Sequence, residues 1–255
     1  MDLNLTMIII IILFGFIAAF IDSVVGGGGL ISTPALLAIG LPPSVALGTN
    51  KLASSFGSLT STIKFIRSGK VDLFVFAKLF GFVFLASACG AYIATMVPSQ
   101  ILKPLIIIAL SSVFIFTLLK KDWGNTRTFT QFTFKKAIIF AALFILIGFY
   151  DGFVGGGTGS FMLFVLLIFG FDFLSAAGNA KVLNFASNIG ALVLFMVLGV
   201  DYVIGLIMAI SMIAGSYAGA HFAIKQGVGY VKVLFIIITA ILILKNAFDY
   251  IQQFV

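Results

Sequence analysis

Of 255 residues, 62% are hydrophobic and 9% charged. Soluble domains run at roughly 45–50% apolar and about 25% charged, so a water-soluble globule is excluded. The net charge of +7 raises nucleic acid as a partner, but in so apolar a chain the cations are accounted for by membrane topology, and no nucleic acid is expected. One cysteine, Cys89, and one histidine, His221, exclude an intramolecular disulfide and a Cys- or His-cluster metal site, and no cofactor is expected.

The first apolar run, 5–21, has no basic segment before it and no small-residue cleavage site after it. It reads as a membrane segment rather than a cleaved leader. It leads into Asp22 and the loop Gly26-Gly27-Gly28-Gly29, and runs near 30–41, 45–66, 73–95 and 101–119 follow. A polar linker covers 120–136. Then come 137–150, Asp151, the loop Gly155-Gly156-Gly157-Thr158-Gly159, and runs near 159–170, 175–198, 202–223 and 230–248. A crossing helix needs about 20 residues for a core of roughly 30 Å. By that measure 30–41, 137–150 and 159–170 are short and 5–21 is borderline. The short runs come in pairs around a Gly-rich break, which predicts a hairpin that turns back inside the membrane, or a broken helix.

The chain reads as a duplication. Val25-Gly26-Gly27-Gly28 recurs as Val154-Gly155-Gly156-Gly157, in each case three residues after an aspartate. Gly48 matches Gly178, Lys51 matches Lys181, and Ser87-Ala88-Cys89-Gly90-Ala91 matches Ser216-Tyr217-Ala218-Gly219-Ala220, always at an offset of 129 or 130. The expected halves are 1–119 and 137–255, within a single transmembrane domain. Lys64, Arg67 and Lys70, the linker cations Lys120, Lys121, Arg127, Lys135 and Lys136, and Lys225 and Lys232 mark cytoplasmic segments by the positive-inside rule. Both termini then fall outside and the linker inside. Each half has five helical elements, an odd number, so the halves face opposite ways. The expected fold is an all-α integral membrane protein of two inverted-topology repeats, a plan common among secondary transporters.

Three sets of residues can carry chemistry. The glycine loops either pack a tight hairpin turn or present backbone N–H groups to an anion at the start of a short helix. Lys51 and Lys181 either snorkel or face a central cavity. Their polar neighbours Thr49 and Asn50, and Asn179, Asn184, Ser187 and Asn188, favour the cavity. Asp22 and Asp151 either cap the glycine loop, pair with a lysine, or take part in proton coupling. His221 is expected in an interfacial or packed role, Cys89 in the core, and Trp123 and Tyr202 suit the interfacial belt.

Taken together, Phe20-Ile21-Asp22-Ser23-Val24-Val25 with the four glycines, Gly48-Thr49-Asn50-Lys51, Gly148-Phe149-Tyr150-Asp151-Gly152-Phe153, and Lys181-Val182-Leu183-Asn184-Phe185-Ala186-Ser187-Asn188 resemble the TauE/SafE-type sulfite exporter family of permeases over essentially the whole chain. The resemblance implies a multi-pass inner-membrane permease for sulfur-containing anions. Two departures stand out. Thr158 takes the place of Gly29, and Asn179-Ala180 stands where Thr49-Asn50 does in the first half.

The resulting expectation is a secondary transporter working by alternating access. Gly26, Gly27, Gly28, Gly29, Thr49, Asn50, Lys51, Gly155, Gly156, Gly157, Thr158, Asn179, Lys181, Asn184 and Asn188 would bind a small sulfite- or sulfonate-like anion. Asp22 and Asp151 would couple or support. The expected partners are that anion and the lipid bilayer, with a homodimer left open. An anion channel is the alternative. An intramembrane enzyme finds few catalytic groups, with one His, one Cys and no Glu.

Overall fold

The structure, a computed structural model, describes residues 4–94, 96, 124–129 and 133–227, with scattered positions from 229 to 248. The run 101–119, Trp123 and nine residues of 230–248 lie outside the described residues. Eight helices are bounded among those described: α1 (Leu5–Val25), α2 (Gly29–Ala38), α3 (Pro43–Arg67), α4 (Leu73–Ala94), α5 (Phe134–Phe153), α6 (Thr158–Ile168), α7 (Phe173–Leu198) and α8 (Tyr202–Gln226). No strand occurs among the described residues.

Five of these helices, α1, α4, α5, α7 and α8, are long and apolar enough to cross a membrane. α5 corrects the reading of 137–150 as too short. Its 20 residues begin earlier, where the Thr133 side chain accepts the Lys136 N–H, and continue past Asp151 to Phe153. The charge inside the helix is tolerated because it is paired. α1 continues past Asp22 in the same way, to 21 residues. α2 and α6, of 10 and 11 residues, reach only about 15–17 Å at 1.5 Å per residue and cannot cross alone.

α3 has the length to cross, at 25 residues, but is too polar to count as an apolar span. Its polar side chains turn inward: Thr49, Asn50, Lys51, Ser55, Ser58, Ser61 and Thr62 are all buried. Several hydroxyls return to the helix's own carbonyls one turn back, as Ser55 does to Lys51 (2.7 Å) and Ser58 to Ser54 (2.6 Å). This satisfies them without water.

Close backbone packing arranges the bundle. α1 runs along α8 in the same direction, with Gly215 and Gly219 against the Phe16 and Phe20 carbonyls. α4 runs along α5, also in the same direction, with Gly90 against the Phe149 carbonyl and Gly152 against that of Ser87. Small residues let helices approach where lipid supplies no hydrophobic drive. α3 and α7 cross the centre antiparallel: Gly48 meets Phe195 and Gly199, whereas Phe65 meets Gly178.

One end of the bundle gathers the basic segments. The C-terminal turns of α3 and α8 lie side by side there, with the Lys64 ammonium 4.2 Å above the Tyr217 ring. Arg127 of the linker pairs with Asp72 at 2.7 Å, and Thr128 and Phe129 donate to the Gly170 carbonyl at 2.8 Å. Cys89 departs from expectation: it is exposed rather than in the core. His221, also exposed, stacks on Tyr217 with ring centroids 6.5 Å apart.

Candidate functional site

The two glycine loops meet. α1 ends at Gly26 with φ 81°, and α6 is preceded by Gly157 with φ 83°; L-residues with a Cβ rarely adopt this region. Gly26 lies against the backbone of Gly159 and Ser160, and Gly29 against the Gly155 carbonyl. No side chain fits between these backbones. Ser160 clasps the contact by donating to the Val25 carbonyl at 3.1 Å.

Beside this contact the charges exchange partners. Lys51 of α3 lies 2.7 Å from Asp151 at the end of α5. Lys181 of α7 lies 2.6 Å from Asp22 at the end of α1. Each lysine is the ninth residue of its helix (Pro43 to Lys51, Phe173 to Lys181), about 12 Å from its start. Of the open alternatives, snorkelling is ruled out, since both lysine side chains are at most 3% exposed. The Lys51 ammonium also donates to Asn188 Oδ1 at 3.2 Å. Asp22 also caps its own loop, accepting the Gly28 N–H on Oδ1 at 3.2 Å. The two buried cations and their two anions cancel. Pairing offsets the desolvation of each charge, although such pairs contribute little net stability.

A small polar cavity of about 20 Å³ opens between the loops, room for about one water. Of the sequence-predicted residues, Asp22, Gly27, Gly28, Gly29, Asn50, Asp151, Gly155, Thr158, Asn184 and Asn188 line it. The Thr158 hydroxyl and the Asn184 amide oxygen are buried without a protein hydrogen-bond partner among the described residues. Buried polar groups are normally satisfied, so these two are available to a ligand or water.

Seven predicted residues do not line the cavity. Lys51 and Lys181 lie behind the carboxylates that pair with them. Gly26 is closed by Gly159, Gly156 accepts the Tyr150 hydroxyl on its carbonyl at 2.7 Å, and Gly157 supplies the turn into α6. Thr49 and Asn179 are placed elsewhere altogether. Thr49 Oγ1 accepts the Asp201 N–H at 3.0 Å, and Asn179 Oδ1 accepts the Asp72 N–H at 2.8 Å. Two residues before each lysine is a rotation of about 200° around the helix, which turns both away from the cavity. They instead satisfy the amides of the aspartates that start α8 and α4.

Sequence reading missed Ser54, Ser58 and Gly57 of α3 and Met212 and Ser216 of α8, which also line the cavity. The helical spacing Asn50, Ser54, Ser58 carried that signal. It also missed the pairing of Asp72 with Asp201, 129 residues apart, at the repeat's own offset.

The family model for Sulfite exporter TauE/SafE matches residues 11–246. A probable membrane transporter protein of Sinorhizobium sp. is 36% identical over 250 residues, covering 97% of this chain and 95% of its own. A probable membrane transporter protein of Haemophilus influenzae is 35% identical over 254 residues, 98% of each. The probable membrane transporter protein YfcA of Escherichia coli K12 is 35% identical over 237 residues, 91% of this chain and 87% of its own. No solved structure matches at a significant level. With a whole-chain family match and transporter relatives of full length behind a multi-pass helical fold, the chain belongs to the TauE/SafE sulfite exporter family of membrane transporters.

Proposed function

We propose that this transporter carries a small sulfur oxyanion, sulfite or a sulfonate, across the cytoplasmic membrane by alternating access. The observation that carries the reading is the exchange of ion pairs, Lys51 with Asp151 and Lys181 with Asp22, beside one polar cavity.

Each pair ties a helix of one half to the hairpin of the other. A carboxylate and a sulfur oxyanion present similar oxygens to an ammonium, so the substrate competes with Asp22 or Asp151 for its lysine. Gly28 N–H, Asn188, Asn184 and Thr158 are positioned as further partners. A cavity of about 20 Å³ is too small for a sulfonate, so entry requires the hairpins to separate. Parting a lysine from its aspartate and moving one half against the other are then the same event, and this couples binding to movement.

An inverted repeat supports the reading. Gly90 on the Phe149 carbonyl and Gly219 on that of Phe20 are the same contact at an offset of 129, and α3 and α7, equivalent in sequence, run antiparallel. Inverted halves around a midplane site are the usual frame for alternating access. The clustered Lys64, Arg67, Lys70, Arg127 and Lys225 support a cytoplasmic position for their end of the bundle under the positive-inside rule, with both termini outside.

The test is flux into proteoliposomes. Labelled sulfite uptake is expected to saturate and to be accelerated by sulfite or a sulfonate inside. Asn188→Ala and Asn184→Ala are each expected to raise the half-saturation concentration about tenfold, the loss of one hydrogen bond to a charged ligand. Flux that never saturates and ignores the internal anion makes the protein a channel. No flux of any sulfur oxyanion removes the substrate assignment.

A further inference from the structure

A second recognition site lies at the bundle's basic end. The last two turns of α3 and the last three of α8 form a groove of about 420 Å³. α3 contributes Ile63, Lys64 and Arg67, and α8 contributes Tyr217, His221 and Ile224. Spacings of three and four residues put each set on one helix face.

Lys64 is held in place in this groove. Lys64 Nζ sits 4.2 Å over the Tyr217 ring, and that ring stacks in parallel on His221. The cation–π contact holds the ammonium against the groove wall. Arg67 is exposed, and among the described residues no carboxylate lines the groove beside it. Its planar donor fork suits two oxygens of one phosphate. Both cations fall in the last turn of α3, where the helix dipole favours positive charge and where a spanning helix leaves the hydrocarbon. Ile63, 41% exposed, and the half-buried Ile224 give the groove an apolar track beside the cations.

We infer that this groove binds the headgroup phosphate of an anionic phospholipid, with its acyl chains along Ile63 and Ile224. Charge selects the occupant. Basic pockets between membrane helices attract anionic headgroups, and the charge excess here identifies the leaflet that such lipids face. The apolar track separates a lipid from free phosphate, which has no use for it. The groove shares no lining residue with the cavity, although Ser216 lines the cavity and Tyr217 the groove, and the proposal does not depend on which solute is carried.

Native mass spectrometry on the full-length protein in detergent tests this, with phosphatidylglycerol and phosphatidylcholine of matched chains. The wild type is expected to retain phosphatidylglycerol about tenfold over phosphatidylcholine. Lys64→Gln and Arg67→Gln are each expected to lose about fivefold of that retention, the contribution of one cation near an anionic surface. Unchanged melting temperatures identify the loss as one of binding, and Lys64→Arg should retain it. Equal retention of the two lipids, or single variants that bind like wild type, overturns the proposal. So does displacement of the lipid by millimolar inorganic phosphate, which makes the groove a free-anion site.

Discussion

Lys51 and Asp151 stand 100 positions apart in sequence and 2.7 Å apart in space, both side chains at most 3% exposed. Breaking such a pair from one side leaves a charge buried and uncompensated, at a cost of about 3–5 kcal/mol. Lys51→Met and Asp151→Leu should therefore each destabilise strongly, and the double variant Lys51→Met/Asp151→Leu should regain most of the loss. Thermal unfolding of the four proteins in detergent measures this. Additive losses would show that the two side chains do not depend on one another.

The second pair is less enclosed. The Asp22 side chain is 22% exposed, against 2% for Asp151, and Asp22 keeps the Gly28 N–H when its lysine is lost. Lys181→Met is thus expected to cost less stability than Lys51→Met, by about 1–2 kcal/mol, one charged-group hydrogen bond retained. The same melts compare them, and the reverse order would contradict the geometry.

Thr49 and Asn179 separate stability from transport. Thr49→Val and Asn179→Leu leave the amides of Asp201 and Asp72 without their acceptors, at about 1–3 kcal/mol each. Because neither side chain lines the cavity, the half-saturation concentration for flux should stay within about twofold of wild type. A tenfold rise with unchanged melting temperature would return both residues to the binding site.

The glycines of α4 are not equivalent. Gly90 faces the Phe149 backbone with no space for a Cβ, whereas Gly81 has nothing within 4 Å. Gly90→Ala should push α4 from α5 and destabilise by about 1–3 kcal/mol, the usual cost of overpacking. Gly81→Ala should be neutral or stabilise by up to about 1 kcal/mol through helix propensity. Melting temperatures of the two variants decide.

Much of the candidate site was legible in the chain because an apolar chain leaves few readings for a charge. Lys51, Lys181, Asp22 and Asp151 stood out at once, and the glycine loops stood out because the run recurs at the repeat offset. Which aspartate meets which lysine was not legible. Pairing within a half and between halves use the same residues, and only the packing of α1 against α8 and of α4 against α5 distinguishes them. The true length of α5 was hidden for a related reason: hydropathy ends a helix at Asp151, but a counter-charge from elsewhere lets it continue. Thr49 and Asn179 were drawn into the site by proximity in sequence, where the decisive quantity is the angle around a helix.

The partner exchange also orders biogenesis. When the first hundred residues leave the ribosome, Asp22 and Lys51 arrive without the groups that neutralise them in the finished molecule, because Lys181 and Asp151 are encoded downstream. The first hairpin therefore gains its final counter-charges only once the second has been synthesised.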